Sequence, residues 1–153
     1  MNARELETRM RTREELDKII LEYSQCFQEI DDYAEMFRLN TLQTKEQLVE
    51  AQGRLTGLYC SIITVWRMSE AVKTNMEAKV FIEVKNELET SGKKVTMVEI
   101  DKETNSRIGE WRLFRNLFEG YVLACDKIIY ACKSILASTI KEGQYIFSDR
   151  TMS

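Results

Sequence analysis

The stretch Trp111–Ile135, WRLFRNLFEGYVLACDKIIYACKSI, decides the fold. Trp111, Phe114, Phe118, Tyr121, Cys125, Ile128, Cys132 and Ile135 recur there at alternating spacings of three and four, which is one face of a long helix. Leu117, Val122, Ile129 and Leu136 fill the adjoining row, so the apolar stripe is wider than a two-helix seam requires. Such a stripe needs cover on two sides.

Working outward, the same periodicity governs the rest of the chain. Leu16, Ile20, Tyr23, Phe27, Ile30, Ala34 and Phe37 form a strict heptad seam and predict a first helix over about 14–38. Asn40 and Thr41 interrupt it. Thr44 with Gln47 then forms a capping box that starts a second helix, about 45–90. Leu48, Leu55, Leu58, Ile62, Val65, Ser69, Val72, Met76 and, shifted by one residue, Val80 keep helical spacing up to Ser91-Gly92. Gly53 and Gly57, one turn apart, offer a place where another helix could approach closely, or simply a weaker stretch of helix.

The segment Lys93–Asp101 holds β-branched residues that suit a strand. Its capping chemistry favours helix: Thr96 and Glu99 make a capping box, with Val95 and Ile100 placed as a hydrophobic staple. A third helix is therefore expected over about 97–142, with Asn105, Ser106 and Gly109 as a kink near 105–109. Unbroken, it would be about 70 Å long, more than twice the radius of a compact chain of this size.

Composition agrees. At 153 residues, 44% apolar and 31% charged, the chain suits one helical domain, and the absence of proline removes the strongest helix breaker. No stretch approaches the ~20 apolar residues that span a bilayer, and Met1–Arg13 is charged with no apolar run behind it. A soluble, cytoplasmic protein without membrane contact is expected. Cys26, Cys60, Cys125 and Cys132 show neither disulfide-framework nor zinc spacing and suit a reducing interior; no metal or cofactor is implied. With no histidine, no phosphate-binding glycine loop and no GxSxG, the sequence carries no recognisable catalytic set and does not read as an enzyme.

Burial within one chain leaves a limited core, so the expected architecture is an all-α, elongated bundle of three long helices with coiled-coil-like packing, assembled as a homo-oligomer. Phe118, Tyr121, Val122, Cys125, Ile128, Ile129, Ile135 and Leu136 are the expected oligomer interface. A monomeric three-helix bundle is the alternative.

Charge is unevenly distributed. Glu14–Glu50 holds ten acidic against three basic residues, a solvated face or an acidic docking surface. Gly53–Lys94 has seven basic against five acidic, and Asn105–Lys141 six against three. Trp66-Arg67 and Trp111-Arg112 each pair a planar ring with a guanidinium, the chemistry of sequence-tolerant single-strand binding, although Trp111 also lies on the apolar seam. Arg115 faces Glu119 one turn on and can equally pair with it, whereas Lys93 and Lys94 sit at a turn where phosphate could reach them.

This layout resembles the phage recombination mediator family typified by UvsY. The likeness covers roughly residues 44–145 and rests on Leu48-Val49-Glu50-Ala51-Gln52 opening the second helix, on the Gly92-Lys93-Lys94-Val95-Thr96 turn and on the closing helix from Glu110-Trp111 through Cys125 and Ile135. It implies a ring-like homo-oligomer that binds single-stranded DNA, a recombinase and a single-strand DNA-binding protein in the host cytoplasm without hydrolysing anything. Where that family has a basic cluster after Glu-Ala-Gln, this chain has Gly53-Arg54, a neutral run from Leu55 to Trp66, then Arg67, so only Arg54 and Arg67 carry over. Arg54, Arg67, Lys93, Lys94, Arg112 and Arg115 are the expected nucleic-acid contacts. Two other functions fit the sequence: a helical scaffolding adaptor that binds proteins only, and a DNA mimic acting through the acidic first segment.

Overall fold

The computed structural model describes residues 3–90 and 96–150, with side chains followed to 139. Among the described residues the chain is helical, with no strand: α1 (Ala3–Arg9), α2 (Arg13–Arg38), α3 (Lys45–Thr90), α4 (Met97–Arg107) and α5 (Gly109–Arg150). Three expected helices thus become five. α2 and α3 match the first two expected spans, the third is divided at Ile108, and α1 precedes them all.

Local chemistry sets these boundaries. α2 closes in a Schellman arrangement: Asn40 takes the left-handed conformation at φ 53°, its N–H donates to Phe37 O at 3.1 Å, and Thr41 N–H donates to Met36 O at 3.0 Å. Asparagine tolerates that conformation better than most residues with a Cβ. Three residues later Thr44 Oγ1 accepts from Gln47 N–H at 3.2 Å while Gln47 Oε1 accepts from Thr44 N–H at 3.1 Å, completing the expected box before α3. Thr96 and Glu99 repeat the device, and α4 begins at Met97 as their spacing predicts. Residues 97–101 are helix rather than strand; Val95 lies outside the described residues.

The chain divides into two compact units, Met1–Ser24 with Ile62–Gly120, and Gln25–Ser61 with Tyr121–Ser153. In the first, Arg13 pairs with Glu110, and Tyr23 meets Phe118 edge-on at 5.4 Å between ring centroids, so α2 and α5 run parallel. Ile62, Val65, Ser69, Val72, Val80 and Val84 of α3 are buried, and Val80 and Val84 pack with Ile100 and Ile108 of the α4–α5 corner. α1 joins this unit through Leu6 and Met10, both buried, and Trp111 Nε1–H donates to Met10 O at 2.8 Å.

In the second unit α2 and α3 run antiparallel on either side of the 39–44 connection, whose Leu42 is buried. Phe27 stacks on Tyr121 with centroids 4.2 Å apart and rings 13° from parallel, and Tyr121 Oη donates to Asp31 at 3.0 Å. Cys125, Ile128 and Cys132 are buried there with Leu48, Ala51, Leu55 and Leu58.

Two expectations need correction. The strict heptad placed Ala34 on the α2 seam and passed over Ile19; Ala34 is exposed and Ile19 fully buried, so the buried stripe of α2 is broader than one seam near its start and has ended before Ala34. A Cβ added at Gly53 or Gly57 would meet nothing within 4 Å, so among the described residues no helix of this chain packs closely on either glycine.

Candidate nucleic-acid interface

Most of the expected arginine contacts are committed to carboxylates. In the second unit Arg54 clasps Glu29 with both arms of its guanidinium, the Nη2–Oε2 contact being 2.8 Å. Arg54 holds the Glu29 carboxyl below its usual range, through the hydrogen bond first and the charge second, against the opposing effect of burial. In the first unit Arg112 Nη2–H donates to Glu77 at 2.9 Å and to Asn105 at 2.6 Å. Burial works to raise the Glu77 carboxyl, but hydrogen bonds from Lys73 and Arg112 outweigh it and hold it low.

Arg115 is bound more fully. Its Nε and Nη2 donate to Glu70 at 3.2 and 3.1 Å, and Nη1 donates to Glu119 at 2.6 Å and to Asn116 at 2.9 Å. Arg107, at the end of α4, is likewise shared between Glu87 and Glu103. The result is a ladder of Arg107–Glu87, Arg112–Glu77 and Arg115–Glu70 joining α3 to the returning helices. A phosphate would have to displace a carboxylate from each of these arginines.

The stacking rings are similarly engaged. Trp111 is half-buried and tied to Met10, as its place on the seam suggested. Trp66 is half-buried, with a buried Nε1–H that meets no acceptor. Arg67 differs: it is exposed and enters no ion pair among the described residues. Lys93 and Lys94 lie outside the described residues.

Of the expected oligomer interface, Phe118, Val122, Cys125 and Ile128 are buried within a single chain, Tyr121, Ile129 and Leu136 are half-buried, and Ile135 is exposed. The wide stripe is therefore covered largely by the chain's own α2 and α3, and what a second copy could meet is its margin. Burial also raises the thiols of Cys125, to about 11, and Cys132.

One surface was not singled out from sequence. Tyr130 is 75% exposed on α5, with Lys127 three residues before and Lys133 three after, both exposed and in no ion pair among the described residues. The nearest acidic neighbour in sequence is Asp126, also exposed and without an ion pair. The signal was present: Tyr130 is the aromatic residue of Trp111–Ile135 that falls off the three-four seam. An exposed ring between two free ammonium groups can stack on an unpaired base while phosphates meet the lysines.

Among the described residues, no group of three or more His, Cys, Asp or Glu side chains could hold a metal ion, and no helix is long and apolar enough to cross a membrane. Compared with protein-family models, with curated proteins and with solved structures, the chain matches none.

Proposed function

We propose that this protein is a non-enzymatic DNA recombination mediator of the UvsY kind: a homo-oligomer that holds single-stranded DNA and helps load a recombinase onto strands coated by a single-strand DNA-binding protein. The observation that carries the reading is the Lys127–Tyr130–Lys133 face of α5 in the second unit. One such face is weak, but several identical faces in one assembly engage a strand with high effective concentration. Self-association through the Ile135 margin of α5 would provide that multiplicity.

The test is binding of a labelled single-stranded oligonucleotide at two salt concentrations, with the mass of the complex measured in the same samples. Lys127→Glu with Lys133→Glu should weaken binding and reduce the steepness of the log–log salt dependence by about 1.4, since each lost phosphate contact on a single strand contributes ~0.7. Equal binding and equal slope in parent and variant would remove this face from the function.

A second reading, a scaffolding adaptor that binds proteins only, is favoured by one observation: Arg54, Arg112 and Arg115 are already neutralised by glutamates. It expects no oligonucleotide binding even at low salt, with the assembly intact.

A further inference from the structure

In the first unit the parallel starts of α2 and α5 leave a groove of about 410 Å³ open to solvent. Leu16 and Phe114 are its buried floor, Ile20 and Leu117 its half-buried walls, and Leu113, 70% exposed, its lip. The exposed leucine and the trough beside it make one contiguous apolar surface, the kind that marks an interaction site.

Charge indicates the occupant. Arg13 and Glu110 close one end of the groove by pairing with each other, and so cancel. Asp17, in the wall, enters no ion pair among the described residues, whereas Glu14, one turn before it, lies outside the lining and acts on Lys18. Lys18, the nearest base on α2, is held by Glu15 at 2.6 Å. Leu21, 74% exposed, continues the same face of α2 one turn beyond Asp17. The trough is thus apolar in its floor and net negative along one bank.

Its length is also informative. From Glu110 to Leu117 the groove follows two turns of α5, about 10 Å at 1.5 Å per residue. That accommodates apolar side chains at positions i, i+3 or i+4, and i+7 of a third helix, the pattern by which amphipathic helices lie in grooves.

We infer that this groove docks an amphipathic helix of a protein partner, with its apolar face in the trough and a basic flank against Asp17. The site is independent of the nucleic-acid reading, since it uses neither Arg67 nor the Lys127–Tyr130–Lys133 face. Apolar contact supplies adhesion, and the Asp17 carboxylate chooses the sign of the partner's flank.

The experiment uses the full chain and two labelled helical peptides with leucines at the same spacing, one carrying lysines and the other glutamates at the remaining positions, followed by fluorescence anisotropy. The lysine peptide should bind more tightly. Leu113→Asp, at an exposed position that leaves folding intact, should weaken it at least tenfold, and Asp17→Lys should weaken the lysine peptide while improving the glutamate peptide. The inference is overturned if Leu113→Asp leaves affinity unchanged, or if Asp17→Lys affects both peptides alike. It is also overturned if the parent self-associates and Leu113→Asp alone reduces its mass to that of one chain, because the occupant would then be a second copy.

Discussion

Phe118→Ala distinguishes a helix seam closed within the chain from one closed by another copy. Phe118 is 0% exposed, meets Tyr23 at 5.4 Å and lies 4.9 Å from the Phe114 ring, all within the first unit. Truncating a fully buried phenylalanine costs ~3–5 kcal/mol, the lost transfer energy plus the cavity left behind. Domains retain only ~5–15 kcal/mol, so the loss is a large share of the total. With a urea dependence of ~2 kcal/mol per molar, a loss of ~4 kcal/mol lowers the unfolding midpoint by ~2 M. The assay is urea unfolding followed by circular dichroism at two protein concentrations, with sedimentation of the folded state. The expected result is a midpoint lowered by the same amount at both concentrations. An unchanged midpoint accompanied by a smaller particle would refute the packing argument, since Phe118 would then act between chains.

Other perturbations have equally definite outcomes. Thr96→Ala removes the acceptor for Glu99 N–H and should cost ~1 kcal/mol, lowering the melting temperature by ~2–4 °C; unchanged exchange of the first α4 amides would show the cap contributes nothing. Native protein treated with a thiol alkylator at pH 8 should be modified at exposed Cys60 well before Cys125, whose burial raises its thiol to about 11, and equal rates at both would contradict that burial. The Glu29 carboxyl is depressed in the folded state, so its contribution is complete above the unfolded value near 4.5 and is lost as pH falls through the lower folded value. Arg54→Gln should therefore melt earlier than the parent at pH 7 and alongside it at pH 2; a pH-independent difference would show that this ion pair is not the cause.

The elements legible in sequence were those with many repeats. The α3 seam from Leu48 to Val80 is buried at nearly every position that periodicity named, because nine apolar or small residues leave little freedom of register. α1 was missed for the converse reason: with only Leu6 and Met10 to bury, one turn apart among arginines and glutamates, it carries no measurable period. The burial of Ile19 was hidden by its neighbour Ile20, since either isoleucine satisfies helical spacing from Leu16 and Tyr23. Candidate basic contacts were legible as residues but, apart from the Arg115–Glu119 pair one turn apart, not in their state. Arg54 is 25 positions from Glu29 and Arg115 is 45 from Glu70, and no local spacing announces either pair. Tyr130 shows what local spacing can still recover, since its distinction is only that it leaves the seam.

The Arg–Glu ladder of the first unit acts as a gauge against slippage. Long helices without proline, packed by repeating apolar seams, can slide by a heptad and rebury much of the same surface. The rungs are unevenly spaced: Glu87, Glu77 and Glu70 stand ten and seven residues apart, while Arg107, Arg112 and Arg115 stand five and three apart. A slide that carried Arg112 from Glu77 to Glu70 would bring Arg115 opposite Ser61–Trp66, where no side chain is charged. Each rung, part-exposed, adds little stability in the correct alignment. In the wrong one Arg115 would forfeit Glu70 and keep only Glu119 of its own helix, so the register loses its cross-helix rung. The seam makes the helices adhere, and the uneven rungs leave them a single alignment in which to do so.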